Sequence, residues 1–159
     1  MTVKSPDPDT PLIELERFLP YRLNVVAEAV SRALSELYDA RHGISIPEWR
    51  VIATLGQYRR MTAKDIGAHS RMHKTKVSRA VARLMERGCL ARSSNSADKR
   101  EAFLELTGSG RAIYDDLVPR ALAFETALAD RLSESERKAL ETILDKLEGP
   151  AQPDGRDNT

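Results

Sequence analysis

Hydrophobic residues recur every three or four positions over most of the chain, which is the spacing of amphipathic helices. The N-terminal stripe predicts a helix from about Leu15 to Arg41 that ends at Gly43. Pro20 either kinks this helix or marks a second start. One face of the predicted helix is hydrophobic, and its positions are Leu23, Val26, Ala27, Val30, Leu34, Leu37 and Tyr38.

Three shorter helices are predicted next. Ser45 and Glu48 have the spacing of a capping box, and the helix behind them is expected to stop near Gly56. Thr62 opens the following helix, and Gly88 ends the third. The predicted spans are about 46–56, 62–69 and 74–87, with a turn over residues 69–73.

The pattern changes after the third short helix. Alternating polar and apolar residues predict two short strands, which turn-forming residues join into a β-hairpin. A long helix follows, in which Pro119 is expected to produce a bend, and Ser133 with Glu136 forms a second capping box. The predicted spans are 90–94 and 101–106 for the strands, and Thr107 to about Leu132 and 133–148 for the helices.

These elements predict one mainly α-helical domain with a small β-hairpin, covering residues 12–148. Residues 1–11 and 149–159 lack an apolar pattern, so we expect both tails to be disordered. The short helices between 46 and 69 could not cover the apolar stripes of the first and last helices. A second copy of the chain is the simplest covering surface, and a homodimer is therefore expected.

Composition narrows the class of protein. Among the 159 residues, 41% are hydrophobic but only 5% are aromatic, which favours aliphatic helix packing over a β-sandwich. No apolar run approaches the roughly 18 residues of a membrane span, and the N-terminus has no signal-peptide pattern. A single cysteine excludes an internal disulfide. We expect a soluble, cytoplasmic protein.

The formal net charge is only +1, but the charge is unevenly distributed. Residues 71–100 contain nine Lys or Arg against two acids, so the rest of the chain is acidic overall. Such a local excess in a nearly neutral protein is typical of a surface that binds a polyanion. A solvated helix face is the alternative, although such faces usually interleave Glu with Lys and Arg.

The third short helix concentrates this charge. On a helical wheel its basic side chains occupy an arc of about 80° beside the apolar edge of Val77, Val81 and Leu84. A helix with one buried edge, one basic edge and a polar first turn is suited to the major groove of DNA, and the short helix before it completes a helix-turn-helix. The basic arc contains Lys76, Arg79, Arg83 and Arg87, and the first turn exposes Lys74, Thr75, Lys76 and Ser78.

The predicted hairpin offers a second contact with DNA. Asp98 lies two residues before Arg100 on the turn, where the two side chains can pair and hold the loop shape. Lys99 and Arg100 would then be available for phosphates or for the narrow minor groove. The alternative is an ordinary charged turn.

Several motifs resemble the MarR family of bacterial transcription regulators. The resemblance covers about residues 12–148 and is carried by segments 46–52, 62–67, 74–88, 98–100, 106–107 and 110–111. It implies a winged helix-turn-helix over about 46–106, with dimerisation helices at about 12–42 and 107–148. It also implies a homodimer that binds a pseudo-palindromic operator in double-stranded DNA, usually as a repressor released by a small ligand.

The resemblance also implies roles for individual residues. The recognition-helix contacts fall on Lys74, Thr75, Lys76, Ser78 and Arg79, and the wing motif falls on Asp98 and Arg100. The helical wheel adds Arg83, while Arg87 could lie too far along the helix to reach DNA. His73 departs from the Asp or Ser that commonly caps this helix, which puts the cap in doubt and raises a pH-sensitive alternative. A histidine facing solvent or phosphate is the favoured interpretation.

Effectors of the resembled family are small aromatic acids or their coenzyme A thioesters, bound between the dimer helices and the DNA-binding lobe. Candidates on those surfaces are Tyr21, Arg22, Trp49 and Arg50, since an arginine beside aromatic rings suits a ring carboxylate. Core packing is the alternative for Trp49, and surface or dimer ion pairs are the alternative for both arginines. Cys89 could sense peroxide, but a lone buried cysteine is usually inert.

Enzyme signatures are missing from the sequence. The segment 107–110 contains glycines but lacks the end of a phosphate loop, and no nucleophile elbow is present. His42, His69 and His73 have no partners at metal-ligand spacing, so neither a metal nor a cofactor is expected. The alternative function is a nonspecific winged-helix protein that coats DNA, or an adaptor without ligand sensing.

Overall fold

The computed structural model describes residues 11–94 and 102–149, and the predicted tails lie almost entirely outside these ranges. The described chain is mainly α-helical with a small antiparallel sheet, as predicted. Its elements are α1 (Leu19–His42), α2 (Ile46–Tyr58), β1 (Arg60–Thr62), α3 (Ala63–Ser70), α4 (Lys74–Glu86), β2 (Leu90–Ser94), β3 (Ala102–Leu106), α5 (Gly108–Ala129) and α6 (Glu134–Glu148). The chain divides into two compact units, Met1–Tyr114 and Asp115–Thr159.

Helix α1 starts four residues later than the hydrophobic pattern predicted. Pro20 lies in its first turn, where the missing amide hydrogen costs nothing, so the proline marks the start. The helix ends as predicted at Gly43, whose φ of 58° is the left-handed conformation that glycine adopts without strain.

Helix α2 begins at the predicted capping box. The Ser45 amide donates to Glu48 Oε2 at 2.7 Å, and the Glu48 amide donates to Ser45 Oγ at 3.5 Å. The helix was expected to stop near Gly56, and it continues two residues further, to Tyr58. A Cβ at Gly56 would overlap the ring of Tyr114, so this glycine allows the start of α5 to pack closely on α2.

The predicted hairpin forms, but it is part of a three-stranded sheet in the order β1-β3-β2. Strand β1 pairs antiparallel with β3, with Arg60 opposite Glu105 and Thr62 opposite Phe103. It was missed because a strand of three residues is too short for alternation to be recognised. The sheet joins α3 directly to the hairpin.

The core of the first unit lies among α2, α3, α4 and the sheet. Each of these elements contributes side chains with almost no exposed surface. The largest of them are Ile52, Leu55, Ile66, Leu84, Leu104, Val51 and Val77, and Ile44 joins them from the segment between α1 and α2. Helix α4 is therefore fixed along one face, which leaves its opposite face for another partner.

The second unit contains most of α5 and all of α6. Helix α5 contains Pro119 and ends at Ala129, three residues before the predicted end at Leu132. The second capping box is confirmed, with Ser133 and Glu136 bonded reciprocally. Hydrogen bonds from the Ser133 backbone and hydroxyl lower the pKa of Glu136. No helix in the described ranges is long and apolar enough to cross a membrane.

Candidate nucleic-acid interface

Helices α3 and α4 form the predicted helix-turn-helix. Thr62 caps α3, accepting the Asp65 amide at 3.1 Å, and Arg71 ends it in the left-handed conformation with φ of 53°. The turn buries Met72 beneath it. Helix α4 then starts after His73, and it packs on both α2 and α3.

His73 caps α4, which settles the doubt that the sequence raised. Its Nδ1 atom accepts the Thr75 amide at 3.3 Å, and the ring remains exposed. The imidazole thus takes the place of the usual carboxylate or hydroxyl acceptor at a helix N-terminus.

Helix α4 separates into two faces. Val77, Ala80, Val81 and Leu84 are buried against the core. The outer face carries every predicted recognition-helix residue in an exposed position, namely Lys74, Thr75, Lys76, Ser78, Arg79 and Arg83.

The bases on this outer face are not neutralised within the described parts of the chain. In residues 11–94 and 102–149, no ion pair joins Lys74, Lys76, Arg79 or Arg83 to a carboxylate. Ion pairs elsewhere join neighbouring turns, for example Arg32 with Glu28 at 2.8 Å. A helix face that is positive and without internal partners suits an external polyanion.

The predicted wing residues Asp98, Lys99 and Arg100 lie outside the described residues, so their pairing stays a prediction. The structure describes the base of the hairpin. The guanidinium of Arg60 lies 4.2 Å from the Phe103 ring centroid and donates to the Ser94 carbonyl at 3.5 Å. The stacking connects β1 to β3, and the hydrogen bond extends across the sheet to the end of β2.

Arg87 binds backbone carbonyls of the protein, although the helical wheel placed it in the basic arc expected to face DNA. Its guanidinium donates to the carbonyls of His42 and Gly43, at 2.6 and 3.2 Å. Sequence reasoning missed this contact because the partners are 45 and 44 residues away.

A cleft of about 610 Å³ adjoins the first turn of α4. It combines basic side chains with a short apolar wall, and Arg50 is the only predicted ligand residue in its lining among the described residues. Arg71, His73 and Lys76 line the cleft beside Arg50 but were not predicted as ligand residues. The turn before α4 and the first turn of α4 bring them to this cleft. The lining residues are Asn24, Ala27, Glu28, Ser31, Ile46, Pro47, Arg50, Arg71, Met72, His73 and Lys76.

The other predicted ligand residues lie elsewhere. Trp49 stacks on Tyr38 with ring centroids 5.6 Å apart, and burial raises the pKa of Tyr38 to about 12. Trp49 is half-buried and does not line the cleft, so its role as a ligand residue stays a prediction. Tyr21 and Arg22 are exposed on α1 and do not line the cleft.

Cys89 is buried at the start of the hairpin, 3% exposed. Burial of this kind fits the inert interpretation better than a peroxide sensor. No group of three or more potential metal ligands occurs in the described ranges. His69, one of the histidines considered, packs edge-on against the ring of Tyr58.

The sequence is similar to a family model and to a protein named as a transcriptional regulator. A model described as "MarR family" matches residues 42–101. The uncharacterised HTH-type transcriptional regulator YwoH of Bacillus subtilis is 26% identical over 130 residues, which cover 82% of this chain and 93% of that protein.

Comparisons of structure agree. A MarR/EmrR family transcriptional regulator from Acinetobacter sp. ADP1 has a TM-score of 0.77 at 28% identity, over 85% of this chain and 95% of the other. Two structures share the fold at lower identity. A mutant MarR from E. coli, complexed with operator DNA, has a TM-score of 0.76 at 22% identity and 87% and 99% coverage. NadR, in complex with 4-hydroxyphenylacetate, has a TM-score of 0.72 at 20% identity and 90% and 99% coverage.

Proposed function

We propose that the chain is a winged-helix, DNA-binding transcription regulator of the MarR family, to which it is similar, and that it acts as a cytoplasmic, homodimeric repressor. It recognises a pseudo-palindromic operator through α4 of each protomer and is released by a small aromatic carboxylate or its coenzyme A thioester. The observation that carries the proposal is the exposed basic face of α4, opposite its buried face.

Recognition of DNA by α4 divides into two kinds of contact. Arg79 and the short side chains of the first turn are placed to read base edges, where a bidentate arginine–guanine contact gives specificity. Lys74, Lys76 and Arg83 supply charge for phosphates, as Lys99 and Arg100 of the wing do in this proposal, with Asp98 holding the wing shape.

Dimer formation is supported by apolar surface on the terminal helices. The described residues before and within α1 expose large hydrophobic side chains, and α6 separately exposes four more at 44–50%. Solvated monomers rarely carry apolar patches of this extent. The exposed residues are Leu12, Ile13, Leu15, Phe18, Leu19, Tyr21, Leu23, Val25 and Val26 near α1, and Leu140, Ile143, Leu144 and Leu147 on α6.

The cleft beside α4 is the proposed effector site. Arg50 presents a guanidinium for a carboxylate, while Pro47 and Met72 offer apolar contact for a ring. Lys76 lines the same cleft, so an anion bound there would compete with DNA for a base of the recognition helix. In this proposal Trp49, Tyr21 and Arg22 lie outside the effector site, and Tyr21 belongs to the dimer surface.

Selection from a random duplex library tests the proposal, with the mass of the protein determined by light scattering in the same buffer. A dimer that selects a two-fold-symmetric motif with half-sites about one helical turn apart supports it. Enrichment of no motif, with steep salt dependence, would instead favour a protein that coats DNA nonspecifically. An adaptor would show neither an enriched motif nor salt-dependent binding to DNA.

Arg100→Ala is expected to weaken binding to the selected operator and to random DNA by a similar factor. The reason is that a wing contact with phosphates or with the narrow minor groove carries little base information. The measurement is a salt titration of both affinities by fluorescence anisotropy, in which the slope should fall by about 0.9 for one lost phosphate contact. A change confined to the operator would contradict the role.

Arg50→Ala is expected to weaken binding of an aromatic carboxylate by about 10- to 100-fold, the range for loss of a charge-assisted hydrogen bond. The probes are benzoate, salicylate, 4-hydroxyphenylacetate and a benzoyl coenzyme A thioester, measured by calorimetry and by release of operator DNA. Arg22→Ala is the matched control, since Arg22 does not line the cleft. Equal loss in both variants would place the ligand elsewhere.

A further inference from the structure

The C-terminal end of α4 meets the end of α1 through one side chain. The Arg87 guanidinium donates from Nη2 to the His42 carbonyl at 2.6 Å and from Nη1 to the Gly43 carbonyl at 3.2 Å. The last carbonyls of a helix have no partner within that helix and carry partial negative charge. A cationic fork with two donors is well matched to this pair of acceptors.

The same end of α4 is also joined to the start of α5. Thr107 Oγ1 donates to the Gly88 carbonyl at 2.7 Å, and the Thr107 amide donates to the Cys89 carbonyl at 3.1 Å. Gly110 fits against that Cys89 carbonyl with no room for a Cβ. Contacts from α1 and from the first turn of α5 therefore converge on the residues that immediately follow α4.

We propose that Arg87 is a positioning residue that fixes the recognition helix relative to the dimerisation helices, and so sets the half-site spacing that the dimer accepts. This inference rests on the proposed function, in which α1 and α6 supply the dimer surface and α4 reads DNA. Arg87 contacts no base or phosphate in this role. It acts by holding α4 at the angle and distance that the opposite half-site requires.

A phosphate contact is the competing role, because Arg87 follows Lys76 and Arg83 around the same helix. The two roles differ in measurable ways. Loss of a phosphate contact lowers the salt slope of binding by about 0.9 and leaves the spacing preference intact. Loss of a positioning contact leaves the slope intact but broadens the spacing preference, since one added base pair rotates a half-site by about 35°.

The experiment compares the parent with Arg87→Ala, Arg87→Gln and Arg83→Ala on operators whose half-sites are moved by one base pair in either direction. For the parent we expect discrimination against the altered spacings of about tenfold or more. Arg87→Ala should reduce it to about threefold or less, with an unchanged salt slope. Arg83→Ala should lower the slope and keep the discrimination.

Arg87→Gln separates the two roles even if the alanine variant folds poorly. Glutamine retains one amide donor for a carbonyl but has no charge for a phosphate. If Arg87 is a positioning residue, the spacing discrimination of Arg87→Gln should lie between that of the parent and that of Arg87→Ala. If Arg87 contacts a phosphate, Arg87→Gln should lower the salt slope of binding as much as Arg87→Ala does. Circular dichroism and light scattering verify the fold and the dimer of each variant.

The outcomes separate this inference from the proposed function. If the parent selects no symmetric motif, the proposed function fails and the positioning role fails with it. If the parent selects a symmetric motif and Arg87→Ala discriminates spacing as the parent does, only the positioning role is overturned. A fall in slope by about 0.9 without a change in spacing would assign Arg87 to a phosphate.

Discussion

Arg79→Ala is expected to lower affinity for the selected operator by about 10- to 100-fold, and to lower affinity for random DNA by much less. Arg79 lies on the exposed face of α4, one turn beyond its N-terminus, where a recognition helix brings side chains to base edges. A bidentate contact with guanine accounts for about 1–3 kcal/mol of discrimination against other bases. The variant should therefore show relaxed preference at one position of each half-site.

The measurement is a competition assay in which each operator position is substituted in turn, for the parent and for the variant. Lys138→Ala removes one positive charge from α6, where Lys138 pairs with Glu134 at 2.8 Å, and so controls for net charge. It should bind like the parent. If Arg79→Ala weakens binding to operator and random DNA by the same factor, Arg79 contacts phosphate and base reading belongs to other residues.

The parts of the fold that sequence predicted correctly depend on local rules. Ser45 with Glu48, and Ser133 with Glu136, form capping boxes from residues three apart. Gly43 ends α1 because only a left-handed residue closes the helix there. The basic face of α4 was also predictable from nearby residues alone, because helical spacing decides which side chains share a face.

The parts that were missed depend on residues distant in sequence. Gly56 suggested a nearby helix end, but it lies inside α2, where the absence of a Cβ leaves room for the Tyr114 ring. Arg87 has the charge and wheel position of a DNA contact, yet carbonyls 44 and 45 residues away bind it. The cleft could not be predicted from the sequence for the same reason, because α1, α2 and the turn before α4 each contribute part of its lining.

Gly110→Ala is expected to destabilise the protein by roughly 1–3 kcal/mol, the usual effect of forcing an extra methyl group into a packed site. A Cβ at this position would overlap the Cys89 carbonyl, which is backbone and cannot rotate away. That carbonyl already accepts the Thr107 amide at 3.1 Å, so moving it would also disturb the hydrogen bond that joins the segment after α4 to the start of α5. The overlap should outweigh the gain of about 1 kcal/mol that alanine normally brings to a helix interior.

Gly108→Ala is the matched control, because Gly108 lies in the first turn of the same helix and a Cβ there would meet nothing within 4 Å. Both variants are unfolded in guanidinium chloride at one fixed protein concentration, since the stability of a dimer depends on concentration. Gly110→Ala should lower the midpoint with an unchanged slope, while Gly108→Ala should match or exceed the parent. Equal midpoints for the two variants would mean that the α5 start moves away from Cys89 at little cost, and that this contact does not hold α5 against the end of α4.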